Sequence, residues 1–127
     1  MPSQINVQPE VLNLWLYAGD GFKMKMLCKN SEGDPVDMTG SVSAQIRTAP
    51  LATGAPILTF ASNLTDAYLG IVIISLTGAQ TQALIDHPSA SADSKFVGVW
   101  DLQWSPSGEQ PVTLCKGTVE CEPDVTR

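Results

Sequence analysis

The stretch FVGVWDLQWSPSGEQPVTLCKGTVEC, residues 96–121, decides the fold class of this chain. In its first part, residues 96–104, large apolar side chains recur at alternate positions and so share one face of an extended chain. The residues on that face are Phe96, Trp100, Leu102 and Trp104. Residues 105–111 are rich in turn formers, and residues 112–121 return to an extended pattern. The stretch therefore predicts a β-hairpin with one buried face.

Other segments along the chain also have the composition of strands. They are residues 11–18, 22–29, 41–48, 57–62 and 70–76. In residues 22–29, FKMKMLCK, one face carries Phe22, Met24, Met26 and Cys28 and the other is mostly lysine, a period of two that is typical of a half-buried strand. Residues 70–76, GIVIISL, are apolar on both faces, which predicts a central strand covered on both sides.

One short helix is predicted between these strands. Thr77 and Gln80 have the spacing of a capping box, in which each side chain bonds a backbone N–H of the first turn. Residues at helical spacing follow, namely Ala79, Ala83 and Leu84, and Pro88 ends the run. The whole pattern predicts an all-β fold, an antiparallel β-sandwich of about seven strands with one short helix.

The length of the chain indicates a single domain. Its 127 residues have a mass of 13.5 kDa, and 43% of them are hydrophobic, enough to bury a core. Residues 1–10, which contain Pro2 and Pro9 and lack periodicity, are predicted to form an extended N-terminal arm that reaches a neighbouring subunit. Residues 11–127 are predicted to form one β-sandwich domain.

Charge and hydropathy exclude several classes of function. Thirteen acidic residues against seven basic ones give a net charge of −6, which argues against nucleic acid or an anionic membrane as partner. The longest apolar stretches, residues 11–18 and 69–76, are too short to cross a bilayer. The first ten residues lack the features of a secretory signal, so the protein is expected to mature in the cytoplasm where it is made.

The cysteines do not indicate a disulfide framework or a zinc site. Cys28, Cys115 and Cys121 are odd in number and include no CxxC pair. If Cys115 and Cys121 share a strand, they lie roughly 20 Å apart and cannot bridge each other.

Catalytic residues are sparse in this sequence. His87 is the single histidine, it lies beside Pro88 in a polar segment, and we expect it to be exposed to solvent. Asp101 projects from the predicted hairpin, but hydrolysis by paired carboxylates needs a second acid across a cleft. We therefore expect no enzyme activity, no catalytic residue and no bound cofactor.

Two acidic segments are candidates for metal binding. Glu32, Asp34 and Asp37 miss the spacing of an EF-hand loop and are more simply explained as turn residues. The second segment, residues 120–124, carries Glu120, Glu122 and Asp124, and a solvated charge run explains it without an ion. We expect no metal site.

Aromatic and apolar residues suggest two kinds of binding surface. Four aromatic residues could stack on sugars if exposed, although core packing or burial against a partner explains them better: Trp15, Tyr17, Trp100 and Trp104. The run VLNLWLYA at residues 11–18 has bulky apolar groups on both faces, so it is either an internal strand or a strand partly buried by another subunit. The candidate partner interface comprises Pro9, Val11, Leu12, Leu14 and Trp15.

The order of several motifs resembles a known group of domains. These motifs are GDPVDMTG (33–40), AQIRT (44–48), DAYLGIVIISLTGAQTQALI (66–85) and a W-D-L-x-W hairpin ending in PDVTR (123–127). Together they resemble small β-sandwich domains of tailed-phage virions, found in minor tail and other structural proteins of actinobacteriophages, and are similar to the amino-terminal domain of baseplate upper proteins. The similarity covers residues 22–127.

The resemblance implies a structural role in a virus particle. It implies a non-enzymatic virion protein, assembled in the host cytoplasm, that binds other phage proteins in several copies of a symmetric assembly. Baseplate relatives carry a receptor-binding region after the sandwich, whereas this sequence stops at Arg127, so an adaptor or minor tail subunit is expected. Capsid decoration on the head surface is the alternative, and a carbohydrate-binding module for host attachment is a second one.

Overall fold

The computed structural model describes residues 10–49, 54–88, 90, 95–106 and 109–123. Within them the chain forms strands, one α-helix and a 3-10 turn. The strands are β1 (Glu10–Val11), β2 (Leu14–Tyr17), β3 (Phe22–Leu27), β4 (Gly40–Arg47), β5 (Leu58–Thr59), β6 (Ala61–Asn63), β7 (Ile71–Leu76), β8 (Phe96–Pro106) and β9 (Val112–Glu122). The α-helix is α1 (Gly78–Ile85), and the 3-10 turn is Ala67–Leu69. Two sheets pack face to face as a β-sandwich, which confirms the predicted fold class.

The predicted hairpin is the longest ordered feature of the described chain. Strands β8 and β9 pair antiparallel from Phe96 opposite Cys121 to Trp104 opposite Val112, with one register shift between Leu102 and Gln103. The four side chains assigned to the inner face are all buried: Phe96, Trp100, Leu102 and Trp104.

The first sheet contains this hairpin and has the order β1-β9-β8-β4-β5, with β2 also paired to β9. Both β1 and β2 run parallel to β9, so the prediction of a purely antiparallel sandwich is wrong at this edge. The reason is connectivity: the first and last of the described strands meet here, and no hairpin turn forces them to run in opposite directions.

The described residues contain nine strands instead of about seven, because two predicted strands are interrupted. The first one breaks at Leu12 and Asn13, between β1 and β2. The segment 57–62 breaks at Phe60, where the chain leaves the first sheet and enters the second. Phe60 itself is buried and still donates its backbone N–H to the carbonyl of Ala44 at 2.9 Å.

The second sheet has the order β3-β7-β6. Strand β7 is central, as predicted, and its residues Val72, Ile74 and Leu76 lie in the core. The prediction that both of its faces are covered is wrong, because Ile71 and Ile73 on the other face are only half-buried.

The neighbour order of the strands has a precedent in a common architecture. Strands β3, β7 and β6 of the second sheet have the same neighbour order as strands B, E and D of immunoglobulin-type sandwiches. Strands β9, β8, β4 and β5 of the first sheet correspond in the same way to strands G, F, C and C′. The correspondence concerns topology alone.

Helix α1 closes one end of the sandwich. Its capping box is present: the Gln80 backbone N–H donates to Thr77 Oγ1 at 3.2 Å, and the Thr77 N–H donates to Gln80 Oε1 at 2.9 Å. Of the three residues noted for helical spacing, only Leu84 is buried, whereas Ala79 and Ala83 are exposed. In the described residues no helix is long and apolar enough to span a membrane.

Thr81 is also buried on helix α1, which the sequence pattern did not predict. Its hydroxyl donates to the carbonyl of Asp20 at 2.9 Å and accepts the backbone N–H of Gly19 at 3.0 Å. These bonds fasten the helix to the turn between β2 and β3, so a polar residue serves better here than an alanine. Gly78 is required at the helix start because a larger residue would collide with the Gly19 carbonyl.

The predicted N-terminal arm extends one residue too far. Glu10 belongs to β1 and pairs with Cys115, because the sheet begins before the apolar run at Val11. Pro9 and the rest of residues 1–9 lie outside the described residues.

Aromatic residues join the two sheets at the centre of the core. Phe22 on β3 contacts Phe60 with ring centroids 6.1 Å apart, and Phe60 contacts Trp100 on β8 at 5.9 Å. The indole N–H of Trp100 donates to the carbonyl of Leu12 at 2.7 Å. Gly117 lies opposite Trp100 in β9, and any larger residue there would collide with that same carbonyl. The indole thus ties the first strand to the core.

A pair of tryptophan substitutions tests this packing. We expect Trp100→Ala to lower the free energy of unfolding by about 3–5 kcal/mol, because it leaves a cavity and an unpaired carbonyl. Trp15→Ala, at an exposed site, should change it by no more than about 0.5 kcal/mol. Urea unfolding of both variants measures the difference, and similar losses would contradict the packing described.

Candidate interaction surface

A group of exposed apolar side chains lies along the edge of the first sheet where β2 pairs with β9. We call it the edge patch, and its members are Val11, Leu12, Trp15, Tyr17 and Val97. Trp15 remains 61% exposed, Tyr17 51%, Val11 66% and Val97 57%. Contiguous exposed apolar residues, unlike isolated ones, mark contact surfaces in soluble proteins.

Strand register places part of this patch in one row. Trp15 lies opposite Glu120, and Glu120 lies opposite Val97 on the other side of β9. Trp15 and Val97 are therefore two strand spacings apart, roughly 10 Å, on the outer face of the sheet. Tyr17 follows on the same face, opposite Glu122.

The alternation of β2 explains why this strand has an apolar face on each side. Leu14 and Leu16 point into the core, and Trp15 and Tyr17 point outward. Leu14 was assigned to the partner interface, and that assignment is wrong, because its side chain is only 5% exposed. Val11, Leu12 and Trp15 lie at the surface, and Pro9 is outside the described residues. Strand β2 is thus an edge strand, with one face in its own core and the other exposed.

Charged residues border the edge patch. Lys95 Nζ lies 2.6 Å from Glu120 Oε1, and this carboxylate raises the pKa of the Lys95 ammonium, with a further contribution from the charge of Glu122. Glu120 is thereby paired within the chain, whereas Asp20 lies exposed beyond Tyr17 in the turn to β3.

A groove of about 460 Å³ adjoins the edge patch on the same sheet. Residues that line it include Val11, Asn13, Arg47, Val99, Asp101 and Lys116. Asp101 lies between Gln45 and Lys116 in register, and partial burial raises the pKa of its carboxyl while the charge of Arg47 opposes that rise. Among the described residues that line the groove, Asp101 is the sole carboxylate, so the pair that glycoside hydrolysis requires is not assembled there.

His87 differs from expectation. It is half-buried instead of fully exposed, because its ring packs edge-on against Phe96 with centroids 6.2 Å apart. This packing gives the residue a structural contact beneath the end of α1.

The tryptophans divide into two classes. Trp100 and Trp104 are buried, so neither can form a sugar platform. Trp104 donates its indole N–H to the carbonyl of Met38 at 3.1 Å, which satisfies it inside the core. Trp15 and Tyr17 are exposed and remain available for contact.

The first acidic segment forms turns. Asn30 Oδ1 accepts the backbone N–H groups of Glu32 and Asp34 at 2.9 and 3.0 Å. Asp37 accepts from the backbone N–H and hydroxyl of Thr39, and these bonds hold the pKa of the Asp37 carboxyl below its usual range. In the part of the chain that the structure describes, no three His, Cys, Asp or Glu residues are grouped to hold a metal ion.

The second acidic segment is only partly described. Glu120 and Glu122 lie in β9, and Asp124 is outside the described residues. The sequence predicted only a solvated run of charges here. The structure places the two glutamates at the border of the edge patch.

The three cysteines are free thiols in the structure. Cys115 and Cys121 lie on the inner face of β9, and Cys121 Sγ donates to the Thr81 carbonyl at 3.5 Å. Burial raises the pKa of both thiols to about 11, with smaller contributions from Glu10 at Cys115 and from Glu122 at Cys121.

A second exposed apolar group was missed by the sequence reasoning. It comprises Leu27 at the end of β3 with Tyr68 and Leu69 in the 3-10 turn. The signal was present in FKMKMLCK, because Leu27 has the same parity as Lys23 and Lys25 and must therefore point outward with them.

Comparisons with known proteins add little to this geometry. No family model matches the sequence, and no curated protein matches it. Among solved structures the chain is similar to one titled Tim-1, with a TM-score of 0.47 and 9% sequence identity, over 94% of this chain and 99% of that one. A likeness this distant supports no conclusion about function.

The buried thiols predict how stability depends on pH. An unfolded thiol ionises near its ordinary value of 9.0, whereas Cys115 and Cys121 keep their protons to about 11 when folded. Between these pH values the folded state binds more protons than the unfolded state, so stability falls as pH rises, by up to about 1.4 kcal/mol per pH unit for each thiol. The C115A/C121A variant should show a shallower decline in urea titrations across this range. Equal slopes would contradict the prediction.

Proposed function

We propose that this chain is a non-enzymatic structural protein of a tailed-phage virion, an adaptor or minor tail subunit that binds other virion proteins. The single observation that supports a binding role is the edge patch, whose aromatic residues lie exposed on an otherwise acidic protein. Exposed Trp and Tyr side chains are the residues that most often dominate the energy of protein interfaces. The assignment to a virion, in several copies and with assembly in the host cytoplasm, rests on the sequence resemblance.

The described geometry is compatible with this proposal in a second respect. The two candidates for catalysis, His87 and Asp101, have structural surroundings: the ring of His87 packs edge-on against Phe96, and Asp101 lies in a sheet row between Gln45 and Lys116. The edge patch, by contrast, has exposed groups for which a partner supplies the natural explanation.

Fractionated particles test the proposal. We expect mass spectrometry of purified virions to find the protein in isolated tails, in a copy number that matches the local symmetry. Presence only in isolated heads would favour capsid decoration instead. Absence from both fractions would contradict a virion role.

A matched pair of variants tests the edge patch within the particle. Trp15→Glu and Ala83→Glu each add one negative charge at an exposed position, on β2 and on α1 respectively. We expect Trp15→Glu to fold normally but to be incorporated about tenfold less, because a charge replaces an aromatic contact. Ala83→Glu should be incorporated normally. Equal incorporation of the two variants would contradict a contact through the edge patch.

A second candidate function is favoured by one specific observation. Trp15 and Tyr17 project from alternate positions of one strand and together form an exposed aromatic surface, as in a carbohydrate-binding module. Since Trp100 and Trp104 are buried, a ligand on this surface would perturb the fluorescence of Trp15 alone.

Tryptophan fluorescence separates this candidate from the leading one. If the protein binds host-surface glycans, titration with them should shift the emission of the wild type, and Trp15→Phe should abolish the shift. Our proposal predicts no change for a panel of host-wall oligosaccharides. A saturable shift that depends on Trp15 would favour the carbohydrate-binding function.

A further inference from the structure

The outer face of the second sheet combines apolar and basic side chains. We call it the basic face, and its members are Lys23, Lys25, Leu27, Ile71 and Ile73. Leu27 lies opposite Ile71, and Lys25 lies opposite Ile73, so the two kinds of side chain are interleaved in adjacent rows. Leu27 and both lysines are exposed, and the isoleucines are half-buried. Tyr68 and Leu69 extend the apolar surface at one end.

The charge of this face is opposite to that of the molecule as a whole. The chain has a net charge of −6, yet three of its five lysines are Lys23, Lys25 and Lys29, in β3 or just after it. Strands β3, β6 and β7 contain no acidic residue. The nearest acidic residues in sequence, Asp20 before β3, Glu32 after it and Asp66 before β7, belong to connecting segments outside the strand rows.

The edge patch has the complementary character. It presents Trp15 and Tyr17 beside Glu120 and Glu122, and although Lys95 pairs with Glu120, negative charge exceeds positive charge around these two aromatic residues; Lys116 lies opposite Val11 at the other end of the patch. Asp20 adds to this charge beyond the end of β2. One chain therefore has an apolar surface with an acidic border on its first sheet and an apolar surface with lysines on its second.

We propose that the edge patch of one copy binds the basic face of a second copy, so that the chains associate head to tail. This inference rests on the proposed role of the edge patch as a binding surface, and it names the partner. Because the two surfaces lie on different sheets of one sandwich, the contact is heterologous. Repetition of such a contact generates a ring if the rotation closes and a filament if it does not.

The charges favour this contact over a symmetric one. Two edge patches that faced each other across a two-fold axis would bring Glu122 and Asp20 of both copies to the same interface. Like charges at an interface are strongly unfavourable, whereas Lys23 and Lys25 would meet these carboxylates with opposite charge. The contact is therefore expected to weaken as salt is added.

Sedimentation of the full chain with charge-reversal variants tests the inference. We expect the wild type to associate reversibly with concentration, and K23E/K25E and E122K each to weaken association by about tenfold or more. The A79E/A83E variant, which adds negative charge at exposed helix positions, should behave as the wild type. Circular dichroism confirms that each variant is folded, which is expected because every substituted residue is at the surface or half-buried on an outer face.

Mixing the two weakened variants gives the most specific result. A copy of K23E/K25E retains a native edge patch, and a copy of E122K retains a native basic face. The mixture should therefore form heterodimers at concentrations at which each variant alone is monomeric. Failure of the mixture to associate, or association of K23E/K25E at wild-type strength, would overturn the inference. A wild type that stays monomeric at millimolar concentration would also overturn it. These results would leave the virion assignment intact, since particle fractionation tests that assignment separately.

Discussion

The hydrogen bond from the Trp100 indole to the carbonyl of Leu12 joins residues that are 88 positions apart, and the arrangement of the first sheet depends on it. It holds the break between β1 and β2 against the core, and Gly117 leaves the space that the carbonyl needs. Strand β2 follows directly and pairs with β9 from Leu14 to Tyr17, and its alternation directs Leu14 and Leu16 into the core and the side chains between them outward. The surface on which our functional proposal depends is therefore a consequence of core packing.

In the four-residue strand β2, alternate side chains stabilise the core or form the exposed binding surface. Leu14 and Leu16 add to the core, while Trp15 and Tyr17 remain at the surface. An edge strand with exposed aromatic residues is prone to unwanted association unless a partner covers it. This physical cost, on an acidic protein with a basic second sheet, is the reason that we interpret the edge patch as a contact surface.

Features that depend on neighbouring residues could be predicted from the sequence. The hairpin of β8 and β9 and the Thr77–Gln80 capping box follow from local periodicity and spacing, and both are present. Features that depend on distant contacts could not be predicted. The parallel pairing of β2 with β9, the crossing between sheets at Phe60 and the burial of Thr81 each require a partner far along the chain. The sequence likewise did not show which face of β2 packs against the core, so it could not predict that Leu14 is buried and Trp15 exposed.

Reconstruction of the assembled particle at side-chain resolution tests the central claim most directly. The claim is that the exposed aromatic residues of β2 contact another virion protein or another copy of this chain. The account predicts that Trp15 and Tyr17 are covered by a neighbouring subunit in the particle. A reconstruction in which both side chains face solvent, with the subunit attached through other surfaces, would contradict it.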